Sequence, residues 1–280
     1  MQSGERESTV ESPQQGDPWE WTQDRYNNGV FSHALGTERE RLGLLESLLD
    51  GSTRARLRAL GLRAGHDVLE VGGGGGSVAR WMAEQGARVT VTDLDTTFLE
   101  ELADEGVRVL RHDLYTEDFP PDSFDVIHAR YVVLHLPDPD KAVARLAGWL
   151  KPGGVLLLEE PESTLMVNSP HPAWRVVINA FTTHLGKTVG SDVNWARTLP
   201  VPLRKAGLVD VGLDVRLQHI HSGNDEARWW RMSLEQSRAA IVAAGLAADA
   251  DFAAAYRELA SPDFHDLSLA VFAAWGRSPH

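Results

Sequence analysis

The chain has 280 residues, 42% of them hydrophobic and 24% charged, with a formal net charge of −13 and no cysteine. This is the balance of a folded globular chain, long enough for one large domain or a domain with a subdomain. The acidity, without any Lys/Arg cluster, argues against a nucleic-acid partner and against an anionic membrane surface. The absence of cysteine excludes disulfides and thiolate metal sites, and no apolar run reaches the roughly 18 residues of a membrane span.

The opening stretch MQSGERESTVESPQQGDP is polar and aperiodic. Residues 1–18 are expected to form a disordered tail, no signal peptide is visible, and a cytoplasmic protein is expected. Residues 19–60 read as an N-terminal helical lid. In GTERERLGLLESLLDG, Thr37 with Glu40 three residues later makes a capping box, and Leu42, Leu45, Leu48 and Leu49 form one apolar stripe. GSTRARLRALG repeats the logic, with Ser52 or Thr53 opening a second helix and Gly61 closing it.

After Gly61 short apolar runs alternate with helical patterns. HDVLEV (66–71), RVTVTD (88–93), VRVLRHD (107–113), FDVIHAR (124–130) and VLLLEE (155–160) read as strands. Between them fall SVARWMAEQG, TTFLEELADEG and PDPDKAVARLAGWLKPGG, the last with Asp138 as cap and Pro139 at the first helical position. That alternation predicts an α/β fold, a Rossmann-like doubly wound sheet. Past Pro161 the rhythm breaks. PAWRVVINAFTTHLG and NDEARWWRMSLEQSRAAIVAAG read as helices of a cap insertion, and strands 208–220 and 265–276 complete seven, the last antiparallel.

The stretch between strand one and its helix holds five consecutive glycines, Gly72 to Gly76. Glycines there permit a tight turn, let a ligand touch backbone and let the helix pack close, while the helix start offers unpaired N–H groups. An acid, Asp93, ends the next strand, where a carboxylate can accept both hydroxyls of a ribose. The stretch is therefore expected to bind a nucleoside-containing cofactor. A dinucleotide fingerprint fits Gly74, Gly76 and Ala79, which would make the protein an NAD(P)-dependent oxidoreductase, but no tyrosine is followed four residues on by lysine.

The other frame, E-x-G-x-G-x-G on Glu70, Gly72, Gly74 and Gly76, resembles the first motif of the class I S-adenosylmethionine (SAM)-dependent methyltransferases. RHDLYTEDFPPDSFDVIHARYVVLHLPD is similar to that family's adenine loop and fourth strand, and LAGWLKPGGVLLLEEP to its turn into strand five. The resemblance spans roughly residues 60–162 and implies a SAM-binding core over 61–162, with 163–280 as cap, acceptor region and terminal hairpin. It implies SAM as cofactor. Glu70 and the glycine loop would hold the methionine part, Asp93 the ribose, Leu94 and Leu114 the adenine faces and Asp113 the adenine amino group. Arg130 or Ala129 would lie near the methionine end, and Tyr26 would close over the cofactor. Asp113 as a turn cap and Arg130 as an ion-pair residue are the structural alternatives. Where the family often has Cys and Thr, this chain has Gly73 and Gly75.

Methyl transfer is an in-line displacement, so alignment is the main tool, with a general base for a hydroxyl acceptor. His135, Glu159 and His184 are the catalytic candidates, with His33 and Glu160 behind them. His219 and His221 share a strand face without an evident third ligand, so no metal is expected. Aromatics outside the core, Phe31, Trp174, Phe181, Trp195, Trp229 and Trp230, would wall a pocket for a small, largely apolar acceptor. The expectation is O-methylation in secondary-metabolite tailoring in a GC-rich bacterium. A SAM-binding cyclase that transfers no methyl is the alternative.

Overall fold

The computed structural model describes residues 32–280; the expectations for the tail, for Tyr26 and for Phe31 lie outside the described residues. Seven strands form one sheet in the order β3-β2-β1-β4-β5-β7-β6. The strands are β1 (Asp67–Val71), β2 (Arg88–Asp93), β3 (Arg108–Arg111), β4 (Phe124–Arg130), β5 (Leu150–Glu162), β6 (Val209–His221) and β7 (His265–Arg277). β1 to β5 pair in parallel, and β7 runs antiparallel to both β5 and β6. β5 is longer than the sequence pattern predicts: its pairing with β4 shifts between Phe124 and Val126, so that Lys151–Gly154 bulge out of the ladder.

Alternation along the strands sends one set of side chains to each face. Val68, Val126, Val155 and Leu157 meet α1 (Glu38–Ala59), α2 (Ser77–Glu84) and α3 (Glu100–Asp104). Leu69, Ile127, Leu156 and Leu158 meet α4 (Pro139–Gly148) and, beyond α5 (Thr164–Val167) and α6 (Pro172–Thr188), α7 (Pro200–Lys205). A third apolar cluster joins α6 to α8 (Asp225–Ala243) and α9 (Asp249–Leu259) around Trp174, Trp230, Phe252 and Phe264. Leu57 of α1 is fully buried on the sheet; its truncation to Ala would cost about 2–5 kcal/mol through lost transfer energy and a cavity.

Asp138 caps α4 through Lys141 N, with Pro139 at the first position, as its sequence predicts. The N-terminal region differs. The two expected helices are one 22-residue helix, α1. Ser52 and Thr53 do not open a second helix but bond back to the Leu49 carbonyl within the first, and packing on the sheet carries the helix across Gly51. The capping box at Thr37 does not form: its Oγ1 accepts from Gln236 Nε2 at 3.0 Å instead. The pattern Phe252, Ala255, Tyr256, Leu259 would have revealed α9, which the sequence reading passed over.

Candidate functional site

A cleft with an empty volume of about 1370 Å³, counted out to its mouth, opens where β1, β2 and β4 end and runs on between α1, α6 and α8. Its first half is built from strand ends. Gly74 lines it with φ +54, and a Cβ there would meet only Leu42, at 3.7 Å. The neighbouring glycines are needed for close approach: a Cβ on Gly72 would lie 2.3 Å from Val132, on Gly73 2.3 Å from Val91, and on Gly76 2.7 Å from Leu102. Gly72 also lines the cleft. Gly76 does not; it caps the start of α2.

Asp93 sits at the tip of β2, its carboxylate accepting from Gly74 N at 3.0 Å and Asp95 N at 3.2 Å. Burial beneath the loop pushes its pKa up, against those two hydrogen bonds. Leu94, Asp113 and Leu114 line the same half. Asp113 is buried and does cap the turn, accepting from Tyr115 N at 2.8 Å, while still facing the cleft. His33 lines it too, stacked on Phe98 with its Nδ1 3.5 Å from Asp95. Arg130 faces the cleft and is pinned by Asp50 and Thr53 of α1, both at 3.0 Å.

Glu70 does not line the cleft. Its place on β1 turns it toward α1, into a buried polar seam. There Glu70 bonds His128 Nδ1 at 2.7 Å, and His128 Nε2 lies 3.2 Å from Glu159, which also takes Thr53 at 2.5 Å and Arg56 at 2.7 Å. Burial alone would lower His128, but the two flanking carboxylates outweigh it and hold the imidazole up at about 9. Burial alone would raise Glu159, but His128, Arg130 and Thr53 bring it down to about 2. Glu159 is thus an ion-pair anchor that does not line the cleft. Alternation puts residues 70, 128, 130 and 159 on the face that α1 covers, and of these four only Arg130, the last residue of β4, reaches the cleft.

The second half of the cleft is walled by Phe181, Leu185, Trp229, Trp230 and Leu269. His135 follows β4 in a short 3-10 turn, buried, with Nδ1 2.6 Å from Ser191 Oγ. Burial, helped by Arg41, lowers it to about 4, so it is neutral at pH 7. His184 is buried on α6 but does not line the cleft. Neither does Glu160, whose Oε1 takes Val133 N at 2.8 Å and whose burial raises it to about 8. Glu38 and Arg41, a buried ion pair at 2.7 Å, close the α1 side. The sequence reading missed Tyr131 and Ser163, both cleft residues just beyond a strand's carboxyl end, where ligands meet α/β sheets. It gave no signal for His128, Glu38 or Arg41, whose roles depend on which helix covers which strand.

A family profile described as a methyltransferase domain matches residues 44–239. The chain belongs to the class I SAM-dependent methyltransferase family. The matched span takes in α1 from residue 44 on, the glycine loop, the tips of β2 and β4, and Trp229 and Trp230, so the methyltransferase profile reaches both halves of the cleft. Among curated relatives, the ubiquinone biosynthesis O-methyltransferase of Idiomarina loihiensis is 36% identical over 134 residues, 45% of this chain and 51% of the relative. That of Histophilus somni is 31% identical over 162 residues, 54% of this chain and 61% of the relative. The chain thus spans about half the length of the curated methyltransferases it matches. In fold it is similar to the YcgJ protein from Bacillus subtilis, with a TM-score of 0.57 at 19% identity over 82% of this chain and 99% of that one. Among the described residues no helix is long and apolar enough to cross a membrane.

Proposed function

We propose that the protein transfers the methyl group of SAM to an oxygen of a small, largely apolar metabolite. One observation carries the reading: a single cleft joins a bare glycine loop and two strand-end carboxylates to an aromatic chamber. The residues present fit the cofactor. Gly74 offers backbone with nothing but Leu42 in its side-chain direction, Asp93 stands where ribose hydroxyls would be received, and Asp113 with Leu94 and Leu114 would take the adenine. When bound, SAM supplies an electrophilic methyl on a sulfonium, whose charge is neutralised as the S–C bond breaks and the O–C bond forms.

The chain's own part is alignment. Arg130, fixed by Asp50 and Thr53, borders the junction of the two halves. Glu70 contributes indirectly, by holding protonated His128 beneath the loop. Of the three catalytic candidates only His135 lies on the cleft. Being neutral at pH 7, it borders the chamber without adding a charge to it. The O-methyltransferase relatives support oxygen over nitrogen. The α1 segment serves as a lid over the cofactor end, and the helices after β5 as the acceptor cap.

The test is incubation of the full chain with methyl-labelled SAM and a panel of phenols and aryl amines. Labelled methyl ethers, together with a melting-temperature rise from S-adenosylhomocysteine, are expected. Intact cofactor beside a rearranged product would instead establish the cyclase, and a rise with NADH alone would overturn the cofactor.

A further inference from the structure

The acceptor half of the cleft carries a pattern that its apolar walls do not require. Three of its residues hold buried polar atoms without a hydrogen-bond partner: Tyr131 Oη, Ser163 Oγ and Trp229 Nε1. Leaving such groups unpaired away from water is costly, so each points to a missing partner. Two of the three are biased the same way. An indole N–H only donates. Tyr131 is held neutral, its pKa raised well above the phenol value chiefly by burial, so its hydroxyl carries a proton to give.

Unpaired atoms also occur off the cleft, at Trp174 Nε1 and Tyr256 Oη, so what marks the site is the gathering of three of them in one half of the cleft; the adjacent Trp230 is satisfied. Its Nε1 is spent on Ser268 at 2.8 Å, and Ser268 in turn bonds Glu226. Tyr131 is unusual in its backbone as well. It takes φ +59, and the other described non-glycine residues at positive φ are aspartates, Asp122 and Asp210, a type that tolerates it. A bulky residue there is strained, and strain of this kind gathers at ligand sites.

The carboxylates that line the cleft, and the His135 Nδ1 atom, are by contrast already engaged. Glu38 is paired with Arg41, Asp93 receives Gly74 N and Asp95 N, Asp113 receives Tyr115 N, and His135 Nδ1 meets Ser191. An amine entering the chamber would bring donors to a wall that already has unpaired donors. A carbonyl oxygen would satisfy them.

Resting on the methyltransferase reading, we infer that the acceptor is a flat aromatic hydroxy-ketone, with Trp229 Nε1 and Tyr131 Oη donating to its carbonyl oxygen and the neighbouring hydroxyl being the oxygen methylated. Conjugation with the carbonyl acidifies that hydroxyl, which fits a site without a strong base. As the O–CH3 bond forms from an oxygen lone pair, the S–CH3 bond breaks with its electrons staying on sulfur, and the hydroxyl proton leaves to water.

Equilibrium dialysis of the full chain, with and without S-adenosylhomocysteine, tests this with three probes on one tricyclic frame: 1-hydroxyanthraquinone, 1-hydroxyanthracene and 1-aminoanthracene. The quinone is expected to bind at least about tenfold more tightly than either other probe, and W229F and Y131F are each expected to lose about tenfold for the quinone alone. Aminoanthracene and S-adenosylhomocysteine affinities, unchanged in both variants, would show that the variants fold. Equal affinities for the three probes, or variants that weaken all three alike, would overturn the assignment. Failure of S-adenosylhomocysteine to bind would sink the methyltransferase reading separately, because the ranking of probes is measured without it too.

Discussion

The two halves of the cleft hold their charged groups and their neutral donors differently, although His33 Nδ1 and His112 Nε2 at the cofactor end lack a hydrogen-bond partner as well. At the cofactor end Asp93, Asp113 and Arg130 are each held by neighbours on the chain, so their positions are set before any ligand arrives. At the acceptor end Tyr131, Ser163 and Trp229 are left unpaired. On the proposed function, the first half is pre-organised for the cofactor and the second keeps its valences for the acceptor. The cofactor end is also underlaid by the charged seam Glu70–His128–Glu159, whereas the chamber is walled by aromatics.

That contrast can be broken from the foundation up. Glu159→Ala should have the largest effect. It strips Arg56, His128 and Thr53 of a shared buried partner, and a loss of about 3–5 kcal/mol is expected in denaturant unfolding. A loss under about 1 kcal/mol would show that the seam is not what fixes α1 to the sheet.

Next comes pH. His128 at about 9 when folded lies above the unfolded imidazole value, so its contribution is fully present below the unfolded pKa of about 6.5 and disappears as pH rises through about 9. About 3 kcal/mol of stability should be lost across that window, measured by urea midpoints. A flat profile would mean that His128 is neutral in the folded protein. The acceptor-end His135, at about 4, titrates far below this range, so probe binding in the chamber should not follow the same curve.

A second pH dependence is expected at Glu160, whose burial lifts it to about 8. Its stabilising protonated form is present below the unfolded value of about 4.5 and is lost as pH rises through about 8. Glu160→Gln, which cannot ionise, should gain about 3 kcal/mol on the parent between pH 6 and pH 9, read from urea midpoints. Asp93→Ala should weaken S-adenosylhomocysteine by more than tenfold, about 1.5–3 kcal/mol for hydrogen bonds to a charged group, while leaving chamber probes unaffected. Calorimetry would show whether the two halves are separable in this way; unchanged cofactor affinity would place the ribose elsewhere.

Much of the architecture could be read from order along the chain. Strands 88–93 and 124–130 have the bounds their sequences predict, because alternation, flanking glycines and helix caps are local signals. The family's motif frame puts Gly72, Gly74, Asp93 and Asp113 around one cleft, since parallel strands bring their carboxyl ends to one edge of the sheet whatever packs on their faces. The frame misplaces Glu70. The motif gives its position on β1 but not the side chain's partner, and the partner, His128, comes from a strand 58 residues on.

By itself, then, the sequence determined the sheet, the turn after β1 and the acids at the strand tips, because each depends on neighbours within a few residues. Only the tertiary structure decided that α1 is a single helix, that Glu159 anchors it, that His184 turns inward, and that Tyr131 and Trp229 keep free donors in the chamber. Those outcomes depend on which helix covers which face. That is a matter of packing between segments far apart in the chain, on which local periodicity carries no information.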